Sequence, residues 1–182
     1  MGFSCSEKWP NLFISLSLFL LINTKTSDQA SDRNLVNEIC PKTRNPAFCF
    51  HLLGHLGGAS LHDLCEASIG PTQDLAFFAA DEARVLLMHG RDPALKNVYR
   101  SCLGSYEQTS VGLSGVERLL GAGNLRSLPA QASATLAKAG ACDRQFQPPA
   151  SEPAQLKKAS SDLEDGCSVV LVISNLLATS AM

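Results

Sequence analysis

Residues 95–146 read LKNVYRSCLGSYEQTSVGLSGVERLLGAGNLRSLPAQASATLAKAGACDRQF. Core-compatible residues recur there at Leu95, Val98, Cys102, Tyr106, Thr109, Leu113, Val116 and Leu120. Steps of three and four place them all on one helix face. Gly121-Ala122-Gly123 breaks that helix. A second stripe follows through Leu125, Leu128, Ala132, Leu136, Ala139, Cys142 and Phe146, until Pro148 and Pro149 stop it. Cys102 and Cys142 each lie 19 residues from the glycine turn. At 1.5 Å rise per residue both sit about 28 Å from it, so they are level and a disulfide can join them without bending either helix.

Working outward, the last segment repeats the pattern at Leu156, Ala159, Leu163, Cys167, Val170, Ile173 and Leu177. An earlier helix is predicted from about Thr72 to Met88, with Leu75, Phe78, Ala79 and Leu86 inward, ending near His89-Gly90. Asp92-Pro93 reads as the cap and first turn of the helix after it. Period-two strand patterns are absent. Four long helices with short connections predict an all-α antiparallel bundle over residues 70–178.

Residues 33–58 have a different character. Asn34 to Cys40 is a short apolar piece stopped by Pro41, and Asn45-Pro46 opens a second short helix to about His55. Helices this short do not stand alone in water. Cys40 and Cys49 flank the turn between them, and a bridge there stabilises the hairpin by roughly 2–3 kcal/mol. Cys65 and Cys167 remain. A bridge between them is conceivable, but Cys167 lies in an apolar stripe and Cys65 near a predicted loop, so two unpaired thiols are the preferred reading.

At the N-terminus, Lys8 precedes an apolar run from Leu12 to Ile22 and a polar stretch from Asn23 to Gln29. The run is too short to span a bilayer and fits a secretory signal peptide over residues 1–30, cleaved between about 24 and 30. Residues 31–182 then form one domain. Secretion makes the six remaining cysteines disulfide candidates, and six allow 15 full connectivities. The formal net charge is −2, and the leader holds two charges of each sign (Glu7, Lys8, Lys25, Asp28), so the mature balance is the same. No concentrated basic footprint marks a nucleic-acid binder, and no polybasic stripe marks a lipid surface. The apolar run Val169–Leu177 is too short for a membrane span. No Asn-x-Ser/Thr sequon occurs.

Catalytic motifs are missing. Gly112-Leu113-Ser114-Gly115 lacks the spacing and strand context of a nucleophile elbow, and no phosphate loop, His-Glu-x-x-His or Cys-x-x-Cys is present. His51 and His55 stand four apart on a predicted helix and could share a metal with His62 or Asp63. Two exposed histidines on a hairpin helix are the simpler reading, so neither metal nor cofactor is expected. Asp81-Glu82 with Arg84, and Asp162 with Glu164-Asp165, read as solvated helix faces.

The stretch Glu38-Ile39-Cys40-Pro41-Lys42-Thr43-Arg44-Asn45-Pro46-Ala47-Phe48-Cys49 resembles the opening of plant pectin methylesterase inhibitors. Residues 163–177, LEDGCSVVLVISNLL, resemble the last helix of that family. Tyr99-Arg100-Ser101-Cys102, Tyr106 and Gly140-Ala141-Cys142 fall where the family has their counterparts, so the resemblance covers about residues 34–178. It implies a four-helix bundle with an N-terminal hairpin, disulfides matching Cys40–Cys49 and Cys102–Cys142, and an unpaired cysteine at Cys167. Cys65 is an addition to the pattern. The resemblance further implies a protein of the cell-wall space that is not an enzyme. Such a protein, a monomer when free, covers a target's active-site cleft in a 1:1 complex. Because the chain ends at Met182, a fused esterase domain is not expected.

The Cys40–Cys49 motif and the last helix resemble the pectin methylesterase branch, and the Pro-Lys-Phe tripeptide of invertase inhibitors is missing around Asn124–Pro129. In the esterase branch the partner face lies on the helices bearing Cys102 and Cys142. The resemblance places it here at Gly104, Gln108, Val111, Pro129 and Ala141, of which only Gln108 is polar. A few anchors dominate most interfaces, so this face predicts altered affinity. Acid invertase is the alternative partner, and a secreted binder without inhibitory activity is a third reading.

Overall fold

The computed structural model describes residues 35–146 and 151–181, so the predicted signal peptide lies outside the described residues. Six helices run in chain order: α1 over 35–39, α2 over Pro46–Leu53, α3 over Leu61–His89, α4 over Pro93–Gly121, α5 over Leu128–Ala139 and α6 over Ala154–Ser180. The described residues include no strand. Each of α3 to α6 packs on its chain neighbours, α6 closes against α3, and the diagonal pairs hardly meet. That is an antiparallel up-down-up-down bundle.

The bundle's first helix starts at Leu61, not near Thr72. Ser60 and Asp63 form a reciprocal capping box that satisfies the first amides. The helix then runs through Pro71. Pro71 is exposed, on the side of the helix away from the core. Cys65 consequently lies inside a helix and is fully buried, not near a loop.

Phe78 is a second correction: it points outward and is 55% exposed. The face that packs consists of Ala76, Ala79, Ala80 and Ala83, all buried. Their three-four spacing is as regular as that of the large residues, and their size lets neighbouring helices approach closely. Leu75 and Leu86 are only half-buried.

On α4, Asp92 caps the helix by accepting from Ala94 N, and Pro93 starts it. The buried stripe from Cys102 to Leu120 is as read, with Tyr99 added and Leu95 and Val98 half-buried. Gly123 turns the chain at φ +67°, where a side chain would be strained.

The predicted second helix through Phe146 is shorter than its stripe. A 3-10 turn covers Leu125–Ser127, α5 ends at Ala139, and another 3-10 turn covers Asp143–Gln145. Gly140 closes α5, and the turn beyond it brings Cys142 to Cys102, with Cα atoms 4.6 Å apart.

Helix α6 is the most buried of the four. All seven residues of its predicted stripe are inside, with Val169 and Ser174 besides. It is long and apolar enough to cross a membrane, but its place within the bundle already accounts for that composition. A Cβ on Gly166 would lie 2.8 Å from Thr72 Oγ1, so α3 and α6 touch closely there. Cys65 is level with Ser174 across the same seam. Cys167 therefore sits about 10 Å further along α6 from the level of Cys65, at 1.5 Å per residue. A bridge between the two thiols is out of reach, and both are buried and free.

Candidate partner-binding face

The hairpin's position is fixed by chemistry at its turn. Cys40 and Cys49 are bonded, with Cα atoms 5.3 Å apart, and Asn45 caps α2 by accepting from Phe48 N. The turn lies on α6. Asp165, almost fully buried, accepts from Arg44 Nη1 at 2.6 Å and from Asn45 Nδ2 at 2.8 Å. Arg44 also donates its backbone N–H to Ser168 Oγ at 2.9 Å, and its Nε lies 3.5 Å from Glu164. A buried carboxylate is tolerated only when paired and hydrogen-bonded, and Asp165 has both kinds of partner.

Between α4 and α5 the helices nearly touch at one point and part at another. A Cβ on Gly112 would meet Thr135 Oγ1 at 2.4 Å, and one on Gly115 would meet Gln131 Nε2 at 2.8 Å. Gln131 Nε2 donates to the Gly112 carbonyl at 3.2 Å. Toward Gly104 nothing approaches within 4 Å of an added Cβ. The result is an open groove of about 510 Å³, lined by Gly104, Gln108 and Val111 among others. Val111, an apolar side chain, is 73% exposed.

Of the five predicted partner residues, Gly104, Gln108 and Val111 come together in this groove. Ala141 lies past its end, beside Cys142. Pro129 does not join them: it opens α5 and lines a separate hollow with Arg126, Asn175 and Thr179. The sequence reading also missed Glu107, Arg118 and Lys138, which border the groove. Their signal was available, since Glu107 and Arg118 share the helix face of Gly104 and Val111 at three-four spacing.

Behind the groove, acidic groups gather around the turn after α5. Asp143 accepts from Ser160 Oγ at 2.5 Å. Glu152 is pushed up to about 7, first by burial and then by the charge of Asp143, with Lys157 opposing. Burial also raises Glu164, against the pull of Arg44. Cys142, Asp143 and Glu152 converge, but the disulfide removes the thiolate a metal would need. His62, Asp63 and Glu66 bring donor atoms together on the surface of α3. His55 lies beyond the end of α2, so it does not share a helix face with His51. Burial pushes the Cys65 thiol up to about 11 and the Cys167 thiol up to about 12, leaving neither a nucleophile near neutrality.

The sequence pattern of the family described as plant invertase/pectin methylesterase inhibitor matches residues 34–173. The chain belongs to this family. It is 37% identical to a pectinesterase inhibitor of Actinidia deliciosa, over 97% of this chain and 98% of that one. It is 29% identical to pectinesterase inhibitor 1 of Arabidopsis thaliana, over 92% and 94% of the two chains. A crystal structure of a mutant pectin methylesterase inhibitor from Arabidopsis superposes with a TM-score of 0.70, at 28% identity over 78% of this chain and 95% of that one. A crystal structure of a pectin methylesterase inhibitor from Arabidopsis thaliana superposes with a TM-score of 0.62, at 28% identity over 80% of this chain and 97% of that one. Like its relatives, this inhibitor-family chain is no enzyme.

Proposed function

We propose that the protein is secreted to the cell-wall space and inhibits a pectin methylesterase there. It does so by laying the α4–α5 face over the enzyme's active-site cleft in a 1:1 non-covalent complex. The observation that carries this reading is the 37% identity to a pectinesterase inhibitor along nearly both whole chains. The groove supports it, because a rigid concavity with an exposed apolar residue and a charged border is what a pre-organised interface offers. Gln108 and Val111 act as the contact residues, and Gly104 lets a partner backbone come close.

The family description includes invertase, and a face with one uncharged polar anchor among its predicted contacts leaves room for that target. Titration against both enzymes at apoplastic acidity separates the readings. Pectin demethylesterification should fall to a plateau at one equivalent while sucrose hydrolysis continues. Val111→Arg should weaken the inhibition by about tenfold or more. Unchanged demethylesterification across several plant isoforms would overturn the proposal, and loss of sucrose hydrolysis alone would transfer it to invertase.

A further inference from the structure

We infer that the outer face of α3 is a self-association surface, on which a second copy of this chain docks antiparallel about a two-fold axis passing between residues 82 and 83. Four large apolar side chains stand exposed on that helix: Phe77 at 63%, Phe78 at 55%, Val85 at 42% and Met88 at 61%. The alanine face of α3 already fills the bundle interior, so these side chains have no packing role within one chain. Exposed large apolar side chains grouped on one helix are a mark of interaction sites.

The order of residues on the face selects the partner. Phe77, Asp81, Arg84 and Met88 are spaced by four, three and four, and at 100° per residue they fall within about 60° of arc. Read in either direction the steps are the same, with an apolar residue at each end and opposite charges between. An antiparallel copy therefore places Phe77 on Met88 of the second copy and Asp81 on its Arg84, and both contacts occur twice. Such self-complementarity is what a two-fold interface requires.

Charge and shape agree with this docking. Asp81 is 69% exposed and Arg84 46%, and their mutual contact within one chain is 3.3 Å. Arg84 also lies 3.6 Å from Glu107 of α4, and its five donors leave room for a further carboxylate. Beside them a hollow of about 430 Å³ between α3 and α4 opens next to Phe77, Ala80 and Tyr106, and a flexible Met88 from the second copy can fill it. Two helices of 29 residues laid side by side bury on the order of 1,000 Å², the lower end for specific association. The dimer is therefore concentration-dependent, and it replaces the free monomer expected from the resemblance.

Sedimentation equilibrium of the protein over about 5 to 500 μM tests this, a span suited to an interface at the small end of the range. The mass should rise from monomer toward dimer. Asp81→Arg and Arg84→Asp should each raise the dissociation constant about tenfold or more, because like charges then oppose each other across the axis. The double variant carrying both changes should return close to the native constant, with circular dichroism checking that all three remain helical. A monomer throughout the range overturns the inference. So does a dimer that both single variants leave intact, or a double variant as weak as the singles.

Discussion

The hairpin and the bundle are both made of packed helices, yet they are held together in different ways. Each bundle helix contributes a stripe of buried residues spread over several turns, so no single contact decides the outcome. The hairpin contributes Val36, Ile39 and Leu53 to the core and depends on one disulfide and one buried carboxylate. Stability distributed over many contacts resists substitution, whereas stability focused on two points does not.

The largest expected effect comes from cutting the two staples. Chain entropy assigns a loop closed over 40 residues about 4 kcal/mol, and one closed over 9 residues somewhat under 3 kcal/mol. Cys102→Ser with Cys142→Ser should lower the denaturant midpoint of the whole cooperative transition. Cys40→Ser with Cys49→Ser should leave the bundle folded and release α1 and α2, seen as lost amide protection confined to residues 35–53. Equal loss of protection in both regions would erase the distinction between them.

Asp165→Ala comes next, at about 2–3 kcal/mol, because it removes the acceptor shared by Arg44 and Asn45. Glu164 still lies near Arg44, so part of the interaction persists. Hydrogen exchange should again rise in the hairpin first, which separates a docking role for Asp165 from a general role in α6.

The same contrast governs how much was legible in the sequence. The bundle could be read because three-four spacing of large residues repeats through α4 and α6. Where the packing face is made of alanines, as on α3, the largest residues mislead, and Phe78 was placed inward for that reason. The start of α3 lies eleven residues before Thr72 because the capping box at Ser60 and Asp63 went unread. Both bridges could be placed by counting from a turn. The groove was only partly visible, since Gly104, Gln108 and Val111 lie along one helix face, whereas Pro129 was tied to them by resemblance and lies elsewhere. Glu107 and Arg118 share that face and could have been read with it, whereas Lys138 borders the groove only because α4 and α5 approach at Gly112 and Gly115, which is a tertiary fact.

A smaller effect of opposite sign is expected within the bundle. The Tyr106 hydroxyl is buried beside Ser160, whose own hydroxyl is given to Asp143, and it makes no hydrogen bond of good geometry among the described residues. Tyr106→Phe removes the unsatisfied group and keeps the ring, so it should stabilise by about 1 kcal/mol. A lower melting temperature in the variant would show that the hydroxyl is satisfied in solution.

The last effect is a pH dependence located at the turn after α5. Burial and the neighbouring Asp143 raise Glu152 from its usual value of 4.5 to about 7, so the folded protein holds a proton there that the unfolded chain has released. Stability is fully present below about 4.5 and is lost as pH rises toward 7, because the folded state must then give up the proton or bear the charge. Glu152 is partly exposed, and after solvent screening the loss is about 1 kcal/mol. Glu164, raised in the same direction, adds to the slope. Melting curves between pH 4 and 8 should fall for the native chain and flatten for Glu152→Gln, which mimics the protonated group. If Glu152→Gln keeps the native slope, the dependence belongs to the hairpin's own acidic contacts on α6, and the bundle is the less pH-sensitive of the two regions.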